Sequence, residues 1–455
     1  MQSFVLLLVL LLMDFGGGLG AWKAAAAGDS RTPAISFGAA GVCSRSPLCS
    51  KPGNPSELLL KYCNPVSSYL YRFFVRRMRG SRKGEGYATP PSSSELPFTH
   101  DAAARAHALR ELRELLSSRL YGQPHVVDAL IEVVRYKIYH PLEPTVVHLA
   151  GDNGVGKTFT ARLVSRALSL RCGGNSPGCE AGDNLLTISG TSFEGLPLEE
   201  ARRDVVGRLS RHLRAFPHGL VLIDDLTAMD PALVAALAPL FGRGTHFPEQ
   251  LYPAYPDDPT PPAGPTTASK GKAVSASAAV AAASAPPVSQ LLVFITTDLG
   301  KQGRTRGRSL REIETMVRGA FTELYGALLP AYTHTFAYLP FSAGTAEAVV
   351  RGAVAQLPCE LFDGGGGATA SPPVIASDID EAAVAFLVQQ LRPEWDGREN
   401  AHALKRATNR LRTQVLAYLE THGMDSRVVV RLVLDERAME VRLRVEGGKG
   451  KGADL

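Results

Sequence analysis

The sequence predicts an α/β fold: a larger domain built on a parallel sheet flanked by helices, then a small, mainly helical C-terminal domain ending in a β-hairpin. Three observations predict it. Short apolar runs at residues 145–149, 185–189, 220–223, 291–296 and 335–339 alternate with longer stretches of helical spacing, the pattern of a parallel sheet covered by helices. The first run leads directly into GDNGVGKT and then an amphipathic stretch, which reads as strand, phosphate-binding turn and helix. Finally, 455 residues with 45% hydrophobic and 20% charged side chains are ordinary globular composition, long enough for two or three packed units.

The charge balance gives no support to one class of partner. Lys plus Arg at 49 against Asp plus Glu at 44 leaves +5, too weak a surplus for a nucleic-acid binder. The chain opens with MQSFVLLLVLLLM followed by the small-residue stretch GGGLGAWKAAAAG, the layout of a secretory signal peptide. The apolar residues 4–13 are too few to cross about 30 Å of hydrocarbon as a helix. No Lys or Arg precedes the run, so residues 1–27 read as a signal peptide or as an N-terminal anchor on the membrane surface. Residues 28–100 form a Cys-containing, partly disordered region. Its basic run YRFFVRRMRGSRK reads either as a solvated helix face or as a surface for an anionic membrane. The six cysteines, Cys43, Cys49, Cys63, Cys172, Cys179 and Cys359, do not have the spacing of a zinc site, and a secretory route would let some of them pair.

From residue 101 the pattern sharpens. Leu109, Leu112, Leu116 and Leu120 repeat at helical spacing, and LYGQ leads into a second helix with Pro124 in its first turn. Residues 101–340 are predicted to be the nucleotide-binding domain. It is interrupted at 249–288 by a Pro- and Ala/Ser-rich insertion that cannot bury enough apolar surface to order itself. GGGGATASPP near 364–373 is a second flexible joint. Residues 341–447 are predicted to be the lid, with helices over 379–391 and 401–419 and two strands, VVVRLVLD and MEVRLRV.

The chemistry concentrates in two motifs. Gly151, Asp152, Asn153, Gly154, Val155, Gly156, Lys157 and Thr158 fit G-x-x-x-x-G-K-[ST]. There the glycines let backbone amides turn inward on phosphates, Lys157 supplies a positive charge to the outer phosphates, and the Thr158 hydroxyl can ligate Mg²⁺. A second metal partner should be an acid at the end of another buried strand, and GLVLIDD supplies Asp224. The adjacent Asp225 is the candidate to polarise an attacking water.

LYGQ, GDNGVGKT, LLTISGTSFEG, GLVLIDD, LLVFITTD and the helical lid together resemble an AAA+ ATPase of the Clp-related group, and within it the torsins, over about residues 105–340. The resemblance implies ATP and Mg²⁺ as ligands and places Asp224 at the Walker B position. Asp225 stands where the family carries glutamate; one methylene shorter, it leaves its carboxylate about 1.5 Å from where the water needs it, worth on the order of a hundredfold in rate. The sensor position, asparagine in many relatives, falls at Thr297 or Asp298. Clp relatives place an arginine finger where this chain has Pro330 or Ala331; torsins also lack it and borrow an arginine from a membrane-bound partner. Arg304, Arg306, Arg308 and Arg311 form a charged loop before a helix. Arg398, His402 and Lys405 are the candidates for the second sensor, and the Gly-Cys-Lys triplet of torsins is absent.

The resemblance therefore implies a torsin-like ATPase of the endoplasmic reticulum and nuclear envelope lumen. It would work as a homo-oligomer or with a transmembrane activator, hydrolyse ATP weakly alone, and act on an unidentified client. A nucleotide-gated scaffold with little hydrolysis and a Clp-type chaperone of another organelle are the alternatives. A small GTPase would carry an NKxD-like motif, which the sequence lacks.

Overall fold

The computed structural model describes residues 95–169, 184–247, 286–299, 304–305, 307–326, 328, 333–362, 374–422 and 428–446. The N-terminal signal or anchor, the basic run, most of the insertion, the 364–373 joint, Arg306, Pro330 and Ala331 lie outside these residues. So do Cys43, Cys49, Cys63, Cys172, Cys179 and the side chain of Cys359.

Five strands, β1 (Thr145–Ala150), β2 (Leu185–Ser189), β3 (Leu220–Asp224), β4 (Leu292–Thr297) and β5 (His334–Ala337), form an all-parallel sheet in the order β2-β3-β4-β1-β5. β1 and β4 are buried along their whole length, as strands covered on both faces must be, and their runs TVVHLA and LVFITT are correspondingly rich in β-branched and apolar residues. Alternation sorts the side chains. Val147, Leu149, Leu222 and Phe294 pack with α1 (Ala102–Arg119), α2 (Pro124–Tyr139) and α3 (Lys157–Leu168). Val146, Ile188, Ile223 and Ile295 face α4 (Leu198–Ala215), α5 (Pro231–Ala236) and the aromatic end of α6 (Leu310–Tyr325).

The LYGQ junction is a structural clamp. Gln123 is buried, and its amide pairs with the backbone of Leu339 just past β5: Nε2 donates to the Leu339 carbonyl at 2.8 Å, and Oε1 accepts from its N–H at 2.9 Å. His125 adds a bond to the Ala337 carbonyl at 2.8 Å, so the start of α2 is tied to the outer strand of the sheet.

The C-terminal part contains α7 (Ala343–Phe362), β6 (Val374–Ile379), α8 (Glu381–Gln390), α9 (Ala401–His422), β7 (Val428–Asp435) and β8 (Glu440–Glu446). β7 and β8 form the predicted antiparallel hairpin, and β6 adds to β7 in parallel, giving a three-stranded sheet. β6 was not predicted. It abuts the N-cap of α8, where Asp380 accepts from the Ala383 N–H at 2.6 Å, so Ile379 belongs to the strand rather than the helix. Ala346, Val350, Leu404, Leu432 and Leu443 share this part's own core.

Candidate functional site

Past β1 the chain turns through three glycines. Gly154 at φ 74° and Gly156 at φ 107° occupy left-handed backbone that side chains disfavour, and Gly156 is the N-cap of α3. No side chain caps α3, so its first-turn N–H groups open toward the hollow of the loop. Tyr338, fully buried, is the floor: its N–H bonds the Ala150 carbonyl at 2.7 Å, its hydroxyl meets Thr160 at 2.7 Å, and a Cβ on Gly151 would lie 2.9 Å from its own Cβ.

The ends of β3 and β4 meet the start of α3 at one carboxylate oxygen. Asp224 Oδ1 accepts from the Thr158 hydroxyl at 2.8 Å and from the Thr296 hydroxyl at 2.7 Å. Thr296 also accepts from the Asp225 N–H at 2.8 Å, which fixes the turn after β3. Sequence reading missed Thr296. Strand alternation puts it on the same face as Phe294, hence on the side of α3, and that count was the available signal. The Thr158 and Asp224 oxygens are hard donors of the kind Mg²⁺ takes with substrate phosphates and water. Two protein oxygens are too few for an all-protein cage, so the donor set fits an ion arriving with nucleotide. Asp225 is left-handed at φ 57°, and its carboxylate accepts from the Thr227 hydroxyl at 2.5 Å.

The two sensor candidates part company. The Thr297 side chain is buried on the opposite face of β4, its hydroxyl 2.8 Å from His148 Nε2, so it lies within the sheet packing, while its carbonyl accepts from the Gly151 N–H at 3.3 Å. His148 is stacked on Phe321, and burial pushes its pKa down to about 3, which keeps it neutral. Asp298 reaches the loop: its Oδ1 accepts from Lys157 Nζ at 2.9 Å, with the two side chains 9% and 8% exposed. The same ammonium donates to the carbonyls of Gly151 at 2.5 Å and Asp152 at 2.9 Å. Burial lowers the Lys157 pKa, and the Asp298 charge opposes that shift. With its amide turned to donate, the Asn153 side-chain nitrogen stands 3.0 Å from both Asp298 oxygens.

The C-terminal part closes directly on the loop. Asn400, at φ 44° just before α9, donates from Nδ2 to the Asn153 carbonyl at 2.8 Å, and the Ala401 N–H bonds the Gly154 carbonyl at 3.2 Å. A Cβ on Gly154 would collide with the Glu399 carbonyl and lie 3.0 Å from the His402 ring. Of the second-sensor candidates, His402 thus lies against the loop, while Lys405 is exposed one turn further along α9; the Arg398 side chain lies outside the described residues. Asn400 carries no charge and was missed, although an Asn at a helix start that tolerates left-handed backbone is a recognisable signal. Arg308 and Arg311 are exposed at the capped start of α6. A cavity of about 880 Å³ opens elsewhere, along the outer edge of β5 between α2 and α6, and none of its lining residues belongs to the loop.

Fold and site define a class: the sheet order, the glycine loop after β1 and the acidic end of β3 are those of a P-loop AAA+ α/β domain, followed by a helical part with its own small sheet. No family model matches the chain. Over 167 residues it is 29% identical to an ATP-dependent protease ATP-binding subunit-like protein of Rhodococcus erythropolis, a match covering 34% of this chain and 46% of that protein. The matched stretch thus spans less than half of the relative's length. The likeness supports the Clp-type AAA+ class and does not reach the torsins within it.

Proposed function

We propose that the chain is a Clp-type AAA+ ATPase that binds ATP with Mg²⁺ and couples the bound nucleotide to remodelling of a protein or membrane complex. Residues 101–340 form its nucleotide-binding domain and 341–447 its lid. The observation that carries this reading is the convergence of Thr158 and Thr296 on Asp224 Oδ1 beside a glycine loop that already holds Lys157. When bound, Mg²⁺ supplies charge neutralisation for the phosphates. Thr158 and Asp224 offer it oxygens, Thr296 orients Asp224, and the α3 N–H groups and Lys157 hold the phosphates. Asp225 orients water from a short side chain, so turnover is slow. The test is equilibrium titration of the full chain with a fluorescent ATP analogue: Mg²⁺-dependent binding lost in Lys157→Ala supports the reading, and binding unaffected by that change overturns it.

Within this class we assign the chain to a torsin-like mode: a homo-oligomer, or an assembly with a transmembrane activator that lends an arginine, in the lumen of the endoplasmic reticulum and nuclear envelope. The sequence resemblance and the apolar N-terminal run support this. Protease protection of the tagged full chain in intact microsomes is the expected result, and digestion without detergent would contradict it. A nucleotide-gated scaffold is the second reading, favoured by Asp225 and by the ion pair that occupies Lys157.

A further inference from the structure

We propose that Asp298 is a built-in anion that competes with ATP for Lys157, so that ATP binds only by displacing a carboxylate from the lysine that must receive its outer phosphates. This deepens the ATP-binding reading and rests on it. A lysine ammonium has three donors. All three are used here: two on the Gly151 and Asp152 carbonyls of the loop itself, and the third on Asp298. The carbonyls are part of the cradle and carry no formal charge. Asp298 is the charged partner, and it comes from another element, one residue beyond β4, where Thr297 is locked onto His148 within the sheet. Lys157 and Asp298 are both more than nine-tenths removed from water, so the pair is little screened by salt.

Such an arrangement opposes ATP in two ways. An incoming phosphate finds no free donor on Lys157, and it meets a fixed negative charge at the ion-pair distance of that lysine, where like charges repel strongly at low dielectric. Asn153, on the loop and within reach of both Asp298 oxygens, helps hold the carboxylate in place. If the lysine is free of Asp298 in a tenth of the molecules, the apparent affinity for ATP falls about tenfold below the intrinsic one. Asp298→Asn retains an acceptor for Lys157 and removes the charge, and so lowers the barrier to exchange.

The experiment pairs a binding measurement with one that needs no nucleotide. The full chain and its Asp298→Asn, Lys157→Ala and double variants are titrated with the fluorescent ATP analogue plus Mg²⁺, and their thermal unfolding is followed without nucleotide. Asp298→Ser is the second variant in case Asp298→Asn does not fold. Expected is about tenfold tighter binding by Asp298→Asn. Without nucleotide both single variants should unfold at lower temperature, because each strands a buried charge, and the double variant should lose less than the sum. Unchanged or weaker binding by both Asp298 variants, with Lys157→Ala still abolishing it, overturns this proposal and leaves the ATP-binding reading standing. No binding by any variant, including those with the carboxylate removed, overturns both.

Discussion

Two sides of one site behave differently. The side formed by the glycine loop, Thr158, Thr296 and Asp224 is a connected set of short hydrogen bonds, each group placed by the end of a buried strand or the start of a helix. On the side that would face the terminal phosphate, the chain presents acids instead: Asp225, a short side chain turned to Thr227, and Asp298, paired to the loop lysine. The contrast teaches that grip on a nucleotide and chemistry on it are separately encoded. The first depends on backbone shape and one oxygen cluster, the second on side-chain reach and sign of charge.

The change with the largest expected effect strikes the gripping side. Lys157→Ala should reduce ATP affinity more than about a hundredfold, read by titration, because it deletes the positive charge in the cradle. On the chemistry side, Asp225→Glu should raise turnover by up to about a hundredfold if the short carboxylate is what limits it. A flat or lower rate in steady-state hydrolysis would refute that geometry. Gly154→Ala joins the two sides to the C-terminal part: with φ at 74° and the Glu399 carbonyl in the way, it should cost about 1–3 kcal/mol in thermal unfolding and loosen the 399–402 segment, visible as faster amide exchange there.

Acid probes the sheet beneath both. His148 has a folded-state pKa lowered to about 3 by burial, so between that value and the unfolded one near 6.5 only the unfolded chain takes up its proton. The stability it contributes is therefore present above about pH 6.5 and lost as pH falls, about 2 kcal/mol by pH 5. His148→Gln should flatten that part of a denaturant-unfolding profile against pH. The smallest effect is expected for Asn400→Gly, which keeps the left-handed backbone available and loses about 1 kcal/mol for the bond to the Asn153 carbonyl, measured as a shift in the urea midpoint.

The sheet was legible in the sequence because its central strands β1, β3 and β4 are short buried apolar runs, and because the phosphate loop fixes which strand it follows; the half-buried edge strand β5, HTFA, runs 334–337 where 335–339 was expected. Thr158 and Asp224 were legible for the same reason: the motif and the strand end leave each one position. Thr296 was not, because assigning adjacent threonines to opposite faces needs the strand's exact end, and a one-residue error exchanges Thr296 with Thr297. β6 was hidden because its sequence, VIASDI, carries Ser and Asp instead of a continuous apolar run, and only the cap residue Asp380 separates it from α8. Asn400 was hidden because the local pattern, an Asn at a helix start, marks a left-handed backbone position but not its partner, which lies 247 positions away in sequence.

The central claim, a site that grips ATP with weak chemistry of its own, is tested most directly by measuring Mg²⁺-ATP binding and steady-state hydrolysis on the same preparation of the full chain, with Lys157→Ala as the blank and Asp225→Glu beside it. The account predicts clear binding, hydrolysis barely above the blank, and a marked rise in Asp225→Glu. Rapid hydrolysis by the unaltered chain, reduced by Asp225→Glu, would contradict it.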